Sequence, residues 1–147
     1  MKKILILLLV VFVTSSANEL LSQEVSNGAK IEFEKEIHDY GTVEYAGNGQ
    51  CTFKFTNTGN APLMISNAKG SCGCTVPSWP KEPVAPGASS SLSVKYDTKR
   101  PGAINKSVTI TSNAVNSPTK VVRIKGTVKP KPASGAPINK TGAPANK

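Results

Sequence analysis

The chain is poor in the residues that build most catalytic and nucleic-acid-binding sites. It contains one histidine, one tryptophan and three cysteines, and only 5% of its residues are aromatic. No paired base, nucleophile and oxyanion arrangement is visible, so the sequence does not predict an enzyme and suggests no cofactor. Basic clusters interleaved with stacking aromatics are also missing, although the net charge is +9. We therefore expect no nucleic-acid partner.

Long apolar runs are also scarce, and the one that stands out lies at the N-terminus. After Met1-Lys2-Lys3 the chain is apolar from Ile4 to Val13, and small residues follow up to Ala17. This run is shorter than the roughly 18 residues that a membrane span needs. A basic start, a short apolar stretch and a small-residue cleavage zone are typical of a secretory signal. We interpret residues 1–17 as a signal peptide and predict a periplasmic or secreted protein without a membrane span.

Two further segments lack hydrophobic periodicity. Residues 18–30 are polar and are interpreted as a short leader. Residues 129–147 are rich in proline and lysine and hold one large apolar residue. A segment of this composition cannot bury enough apolar surface to offset its ordering entropy. We predict a disordered basic tail at 129–147 and one folded domain over residues 31–128.

Within residues 31–128, apolar and polar residues alternate in many short stretches. Examples are residues 51–56 and 92–96, and glycine or proline punctuates the gaps between such stretches. Alternation predicts strands with one buried face. About seven short strands with frequent turns and no helix predict an all-β immunoglobulin-like sandwich of antiparallel strands, with a small barrel as the competing architecture. An early strand pair is expected at 31–33 and 37–43.

The alternation also predicts a first hairpin and its register. If Thr58-Gly59-Asn60 forms a three-residue loop, Phe55 faces Leu63 and Cys51 faces Asn67. A slip of one residue would place the phenylalanine side chains of this strand opposite polar ones. Cys51 shares the inward parity of this strand, so a buried and inert thiol is expected there.

The segment Ser71-Cys72-Gly73-Cys74-Thr75 concentrates the reactive chemistry of the chain. In an exported protein, two thiols one residue apart are expected to be bonded, metallated or reactive. A disulfide between Cys72 and Cys74 would close a small, strained ring, and Gly73 tolerates the dihedral angles that such a ring needs. A structural role for this loop, with a disulfide or with buried thiols, is one interpretation. A bridge from Cys51 to either cysteine ranks second to the Cys72–Cys74 pair.

A functional thiol or metal site at Cys72 and Cys74 is the other interpretation. Zinc prefers four ligands, and copper(I) prefers thiolate and thioether sulfur. Only Cys51, Met64 and His38 remain as spare donors, and nothing matches a strong zinc-binding spacing. His38 itself is expected at the surface or at a strand edge, with Tyr40 and the following glycine in a turn.

Trp79 follows the Cys-Gly-Cys segment among prolines, in Pro77-Ser78-Trp79-Pro80, which is expected to be a loop. Trp79 would either cover the open end of the sandwich or form a rigid aromatic platform. In the second case, the residues Cys72, Gly73, Cys74 and Trp79 would form an interaction surface at one loop end.

Several segments together resemble a known family. They are Phe53–Leu63, the Ser-Cys-Gly-Cys-Thr segment, Pro86-Gly87, Val94–Asp97, Ser112-Asn113 and Ile124–Gly126. Over residues 31–128 the chain resembles the bacterial domain of unknown function 1573. That family is similar to immunoglobulin-like modules of the PapD, major sperm protein and ciliary ASH type, which mostly bind other proteins.

The resemblance implies a non-catalytic interaction or scaffolding domain, here in the bacterial envelope. Its partner would be an unidentified envelope protein, and a monomer is expected. The alternative function is metal handling (copper or zinc) or thiol-redox chemistry through the Cys-Gly-Cys loop.

Overall fold

Eight strands form two four-stranded sheets in the computed structural model, which describes residues 27–133. The strands are β1 (Ile31–Phe33), β2 (Ile37–Val43), β3 (Gln50–Asn57), β4 (Ile65–Gly70), β5 (Thr75–Ser78), β6 (Ser89–Tyr96), β7 (Gly102–Ser112) and β8 (Thr119–Val128). The predicted signal peptide, most of the leader and most of the basic tail lie outside the described residues.

Sheet I has the strand order β1-β3-β6-β5, and sheet II has the order β2-β8-β7-β4. The predicted β-sandwich is therefore confirmed, with eight strands in place of about seven. Neighbouring strands are antiparallel except β2 and β8, which run parallel. This exception to the antiparallel expectation arises because the chain changes sheets after β1 and brings β2 beside the last strand.

The core consists of the inward-facing side chains of both sheets. The alternating positions of β3, β6, β7 and β8 supply its centre. The side chains that are almost fully buried include Phe53, Phe55, Leu92, Val94, Val108, Ile110, Val122 and Ile124. Burial of one such side chain contributes roughly 1.5–3 kcal/mol, so the two-residue periodicity accounts for the main stabilising term.

The predicted first hairpin is wrong. β3 pairs with β1 and β6 in sheet I, whereas β4 pairs with β7 in sheet II. Phe55 therefore lies opposite Ser90, Leu63 forms an isolated bridge to Val84, and Cys51 lies opposite Val94 in place of Asn67. Both sheets present alternating apolar residues to one core, so parity alone does not distinguish a hairpin from a chain that crosses between sheets.

Asn57 directs this crossing at the end of β3. Its side chain is completely buried, and its amide nitrogen donates to the carbonyl oxygens of Ala61 (2.8 Å) and Val84 (2.9 Å). Its carbonyl oxygen accepts from the N–H groups of Lys30 and Gly59. One asparagine thus supplies hydrogen-bond partners to four backbone groups where the chain leaves sheet I. Buried polar groups require such partners.

The predicted early strand pair is also wrong in its pairing, although both strands occur at the predicted positions. β1 joins sheet I and β2 joins sheet II, with residues 34–36 crossing between them. Backbone hydrogen bonds connect this crossing segment to a strand of each sheet. The N–H of Glu34 donates to Lys54 O, and Glu36 O accepts from the N–H of Arg123.

Candidate functional site

The Cys-Gly-Cys segment forms the corner at which the chain passes from β4 in sheet II to β5 in sheet I. We call residues 71–74 the corner loop. Its first residue is fixed to β7, because the N–H of Ser71 donates to Ser107 O and Ser71 Oγ accepts from the N–H of Ser107. Its end is fixed by the N–H of Thr75, which donates to Cys72 O at 3.1 Å. A side chain added at Gly73 would meet no neighbour, so the tip of the loop is open.

A disulfide joins Cys72 and Cys74 across the tip. The Cys74 side chain is buried in the core, and Cys72 is partly buried against it. Cys51 is a free, buried cysteine, so the structure holds the close pair and not a bridge to Cys51. Sulfur in a disulfide is not a thiolate ligand, so metal binding at this pair would first require its reduction.

Two of the three donors named as spare metal ligands, Met64 and His38, lie away from the corner loop. Met64 lies outside β4 and is largely exposed, and His38 lies on β2 at the other edge of sheet II. Within residues 27–133, no three His, Cys, Asp or Glu side chains group together in a way that would hold a metal ion.

Cys51 is buried beside Tyr40 of β2, whose side chain is partly buried against the core. Burial raises the pKa of the Cys51 thiol, and the neighbouring Tyr40 hydroxyl opposes that shift only in part. The Tyr40 hydroxyl donates to Gly49 O at 2.7 Å, and burial raises its pKa. His38 packs edge-on against Tyr40 with 4.5 Å between ring centroids. A thiol with a raised pKa is a poor nucleophile, which is consistent with the inert role expected for Cys51.

The expected turn at Tyr40 is wrong, because Tyr40 and Gly41 lie inside β2. Gly41 has a φ of 59°, and the register of β2 against β8 shifts between Asp39 and Thr42. This irregularity accounts for the glycine signal, because a bulge uses the left-handed conformation that glycine adopts readily.

Trp79 follows β5 directly, at the end of that strand farthest from the corner loop. Its indole N–H donates to Ile65 O at 3.1 Å, and Lys81 Nζ lies 3.4 Å from the ring centroid. The ring is partly buried against the core. The whole of β5 separates Trp79 from the disulfide, so these residues do not share one loop end. Pro77 lies within β5, not in a loop, and an edge strand tolerates it.

A shallow groove lies beside the corner loop, and sequence reasoning missed it. It is lined by Ala46–Gln50, Gly73, Cys74, Val76 and Lys95–Lys99. Ala46 has a φ of 58°, which is uncommon for a residue other than glycine. Its N–H donates to Thr98 O at 3.1 Å. The glycines and asparagine at 47–49 were the available sequence signal for a shaped loop there.

Comparison with known families gives one match of broad coverage. Residues 31–128 match the family described as protein of unknown function (DUF1573). No curated protein matches the sequence of this chain. Among the described residues, no helix has the length and apolar character to cross a membrane.

Several solved structures share the fold. A protein of unknown function from Porphyromonas gingivalis W83 has a TM-score of 0.62 and 15% identity, covering 74% of this chain and 51% of that protein. The seventh ASH/PapD-like domain of human CEP192 has a TM-score of 0.55 and 11% identity, covering 71% of this chain and 89% of that domain. The VesB protease of Vibrio cholerae has a TM-score of 0.52 and 14% identity, covering 69% of this chain but only 32% of the protease.

These likenesses show an immunoglobulin-like β fold. The chain spans about half the length of the Porphyromonas protein, at 51%. At such low identities, a shared fold does not transfer an activity.

Proposed function

We propose that this chain, which belongs to the family described as protein of unknown function (DUF1573), is a non-catalytic module for protein interaction or scaffolding in the bacterial cell envelope. It would be exported by its N-terminal signal and would work in the periplasm or outside the cell.

The observation that carries this proposal is the Cys72–Cys74 disulfide at an exposed corner of the sandwich. Disulfides persist in oxidising compartments and are rare in the cytosol. The signal-like pattern of residues 1–17 points to the same compartment. The two features are independent, because one is a pattern in the first 17 residues of the sequence and the other is a bond within the corner loop.

The interaction role is supported by the type of surface that the sandwich presents. The sandwich presents strand edges and an open corner loop, and Val76 beside that loop is 59% exposed. Backbone groups at a sheet edge bind extended segments by strand addition, and loops on a rigid scaffold commonly carry binding surfaces. The likeness to an ASH/PapD-like domain supports a non-catalytic module by analogy of fold.

The test combines localisation, thiol state and crosslinking of the full-length chain in a diderm bacterium. Thiols are trapped with an alkylating reagent during cell fractionation, and a photo-crosslinking residue replaces Ile37, Gly73 or Ser91 in turn. We expect envelope localisation, one alkylatable thiol, and a specific partner adduct at Ile37 or Gly73. Ser91 lies in the middle of the outer face of sheet I and serves as the matched control. Cytosolic protein with three free thiols, or equal adducts at all three positions, would overturn the proposal.

A further inference from the structure

The four sheet edges differ in how many backbone groups they leave available, and on β1 this number is small. The N–H of Ile31 donates to Asn116 Oδ1, and Asn116 Nδ2 donates to Ile31 O, both at 3.0 Å. The asparagine amide therefore pairs with Ile31 as a neighbouring strand would. Because β1 ends at Phe33, the asparagine covers one of its two outward positions and leaves only Phe33 beyond it.

The edge of β5 offers no backbone donor among its outward positions. The N–H of Asp97 donates to Cys74 O, so alternation turns Thr75 and Pro77 away from β6. The N–H of Thr75 already donates to Cys72 O, and proline has no N–H. An added strand would find only acceptors along β5.

The edge of β4 is covered at both ends. Trp79 donates to Ile65 O at the start of the strand. At its end the chain turns into the corner loop, where Thr75 lies so close to Gly70 that an added Cβ would collide with its carbonyl oxygen. Only the stretch around Ala68 remains between these two covers.

The edge of β2 is different, because consecutive outward positions keep both a donor and an acceptor. Arg123 donates to Glu36 O, and the parallel ladder therefore directs the N–H and C=O groups of Ile37 and Asp39 away from β8. Within residues 27–133 no other group bonds these atoms. The Ile37 side chain is 54% exposed on the outer face of sheet II. Such an edge is a template for strand addition.

The margin around this edge is also acidic, although the protein as a whole is basic. Within residues 31–128, five of the seven acidic residues lie between positions 32 and 44 (Glu32, Glu34, Glu36, Asp39 and Glu44), against one lysine, Lys35, so five negative charges and one positive charge give residues 31–44 a net charge of −4 with His38 neutral. The last three of these acidic residues form ion pairs with the β8 and C-terminal lysines Lys120, Lys125 and Lys129. Among the described residues, no basic group forms an ion pair with Glu32 or Glu34.

We propose that the β2 edge binds an extended, basic peptide segment of a partner protein, which adds to sheet II as a fifth strand at Ile37 and Asp39. This inference rests on the interaction function proposed above and specifies its surface. Charge selects the occupant. Two copies of this chain paired through β2 would bring two segments of net negative charge (residues 31–44) together, whereas lysine or arginine side chains on an added strand would be attracted to the acidic residues of that segment, Glu34 included.

The test is a titration of the full mature chain with a capped hexapeptide of alternating lysine and valine, followed by amide NMR. We expect the amides of Ile37 and Asp39 to shift and to become protected from hydrogen exchange. An Ile37→Pro variant removes one outward N–H without touching the ladder to β8, and should weaken binding by about tenfold. A peptide N-methylated on its pairing edge should lose binding to a similar extent.

Charge is tested separately with the Glu32→Gln/Glu34→Gln variant. Its affinity for the lysine peptide should fall and should depend less on salt, because screening then has fewer charges to act on. Glu82→Gln is the matched control, since Glu82 is an exposed acid outside this margin and should leave the affinity unchanged. Equal binding of a glutamate–valine peptide would contradict the charge argument.

Other outcomes would overturn the proposal in identifiable ways. Absence of binding, or shifts centred on β5 or the corner loop, would exclude the β2 edge for such a peptide. Protection of the Ile37 amide that disappears after deletion of residues 134–147 would assign the edge to the protein's own tail. A dimer that Ile37→Pro converts to a monomer would assign it to a second copy. A specific crosslink at Gly73 alone would preserve the interaction function while rejecting this edge.

Discussion

On the side of the sandwich formed by β4 and β5, an indole and the corner loop with its disulfide cover the two ends of the β4 edge. On the opposite side, formed by β1 and β2, an asparagine amide caps β1 and three side-chain ion pairs flank β2, whose edge stays open. The first side joins its sheets through the corner loop, with Trp79 bonded to Ile65 O. The second joins them through residues 34–36, with Lys120 2.5 Å from Glu36 and Lys125 3.2 Å from Asp39.

The difference between the two sides shows which of them is sensitive to pH and salt. Covalent and apolar contacts depend weakly on pH and salt, whereas exposed ion pairs are screened and contribute little to stability. The β4/β5 side is therefore the more rigid scaffold. The β1/β2 side keeps backbone groups and charges available, as a binding surface requires.

The largest expected effect comes from removing the cover of the β4/β5 side. Trp79→Ala loses partly buried aromatic area and leaves Ile65 O without its donor, and should lower the free energy of unfolding by about 3 kcal/mol. Trp79→Phe keeps most of the ring and should cost about 1 kcal/mol. Urea unfolding measures both variants. Val76→Ala, at an exposed position on the same edge strand, is the control, and an equal loss there would show that Trp79 is not a specific cover.

The next effect concerns the β1 edge. Asn116→Ala frees both backbone groups of the buried Ile31 and should cost about 2 kcal/mol. The opened edge should also raise self-association, which sedimentation velocity detects. Asn105→Ala replaces an exposed asparagine of β7 and should change neither quantity. An Asn116 variant as stable and monomeric as this control would refute the capping role.

A smaller loss is expected when the Cys72–Cys74 disulfide is reduced. Cross-links that close short loops restrict the unfolded chain least, so reduction should cost roughly 1.5 kcal/mol. Urea unfolding of oxidised and reduced protein, both carrying Cys51→Ala to prevent thiol exchange, measures the difference. A loss greater than about twice this value would mean that the bond holds the sheets together beyond its loop-closure effect.

The smallest effect is expected at the Asp39–Lys125 pair of the β1/β2 side. The pKa of Asp39 is lowered, first by the hydrogen bond from the N–H of Gly41 and then by Lys125. A lowered pKa in the folded state stabilises the protein above the unfolded value of 3.8, and this contribution is lost as pH falls through the folded pKa. Asp39→Asn should therefore be less stable than wild type near neutral pH, with the gap closing below pH 3.8. A gap that does not change with pH or salt would indicate a packing effect.

The strands and their buried faces could be predicted because alternation is a local signal. β3 and β6 occur where the pattern of residues 51–56 and 92–96 indicated them, and Cys51 lies in the core. The burial of one side of a strand follows from its own composition, whichever strand lies next to it. The close spacing of Cys72 and Cys74 likewise favoured the pair that the structure joins.

The pairing of the strands could not be predicted in the same way. The pattern after Phe55 fitted a hairpin, yet Leu63 bridges Val84 and β4 belongs to the other sheet. The missing information was the set of hydrogen bonds that the buried side-chain amide of Asn57 makes with backbone groups on both sides of the crossing. The separation of Trp79 from the corner loop and the open edge of β2 also depended on which strands lie at the sheet margins.

The sequence by itself determined an all-β domain, the inward or outward direction of most side chains, and most of the segments that change direction. Side-chain alternation and turn residues act over a few positions, so they are readable without the fold. Only the tertiary structure decided sheet membership, the parallel β2–β8 pair and the accessibility of each edge. Those features depend on hydrogen bonds between residues as far apart as Ile31 and Asn116, which no local pattern encodes.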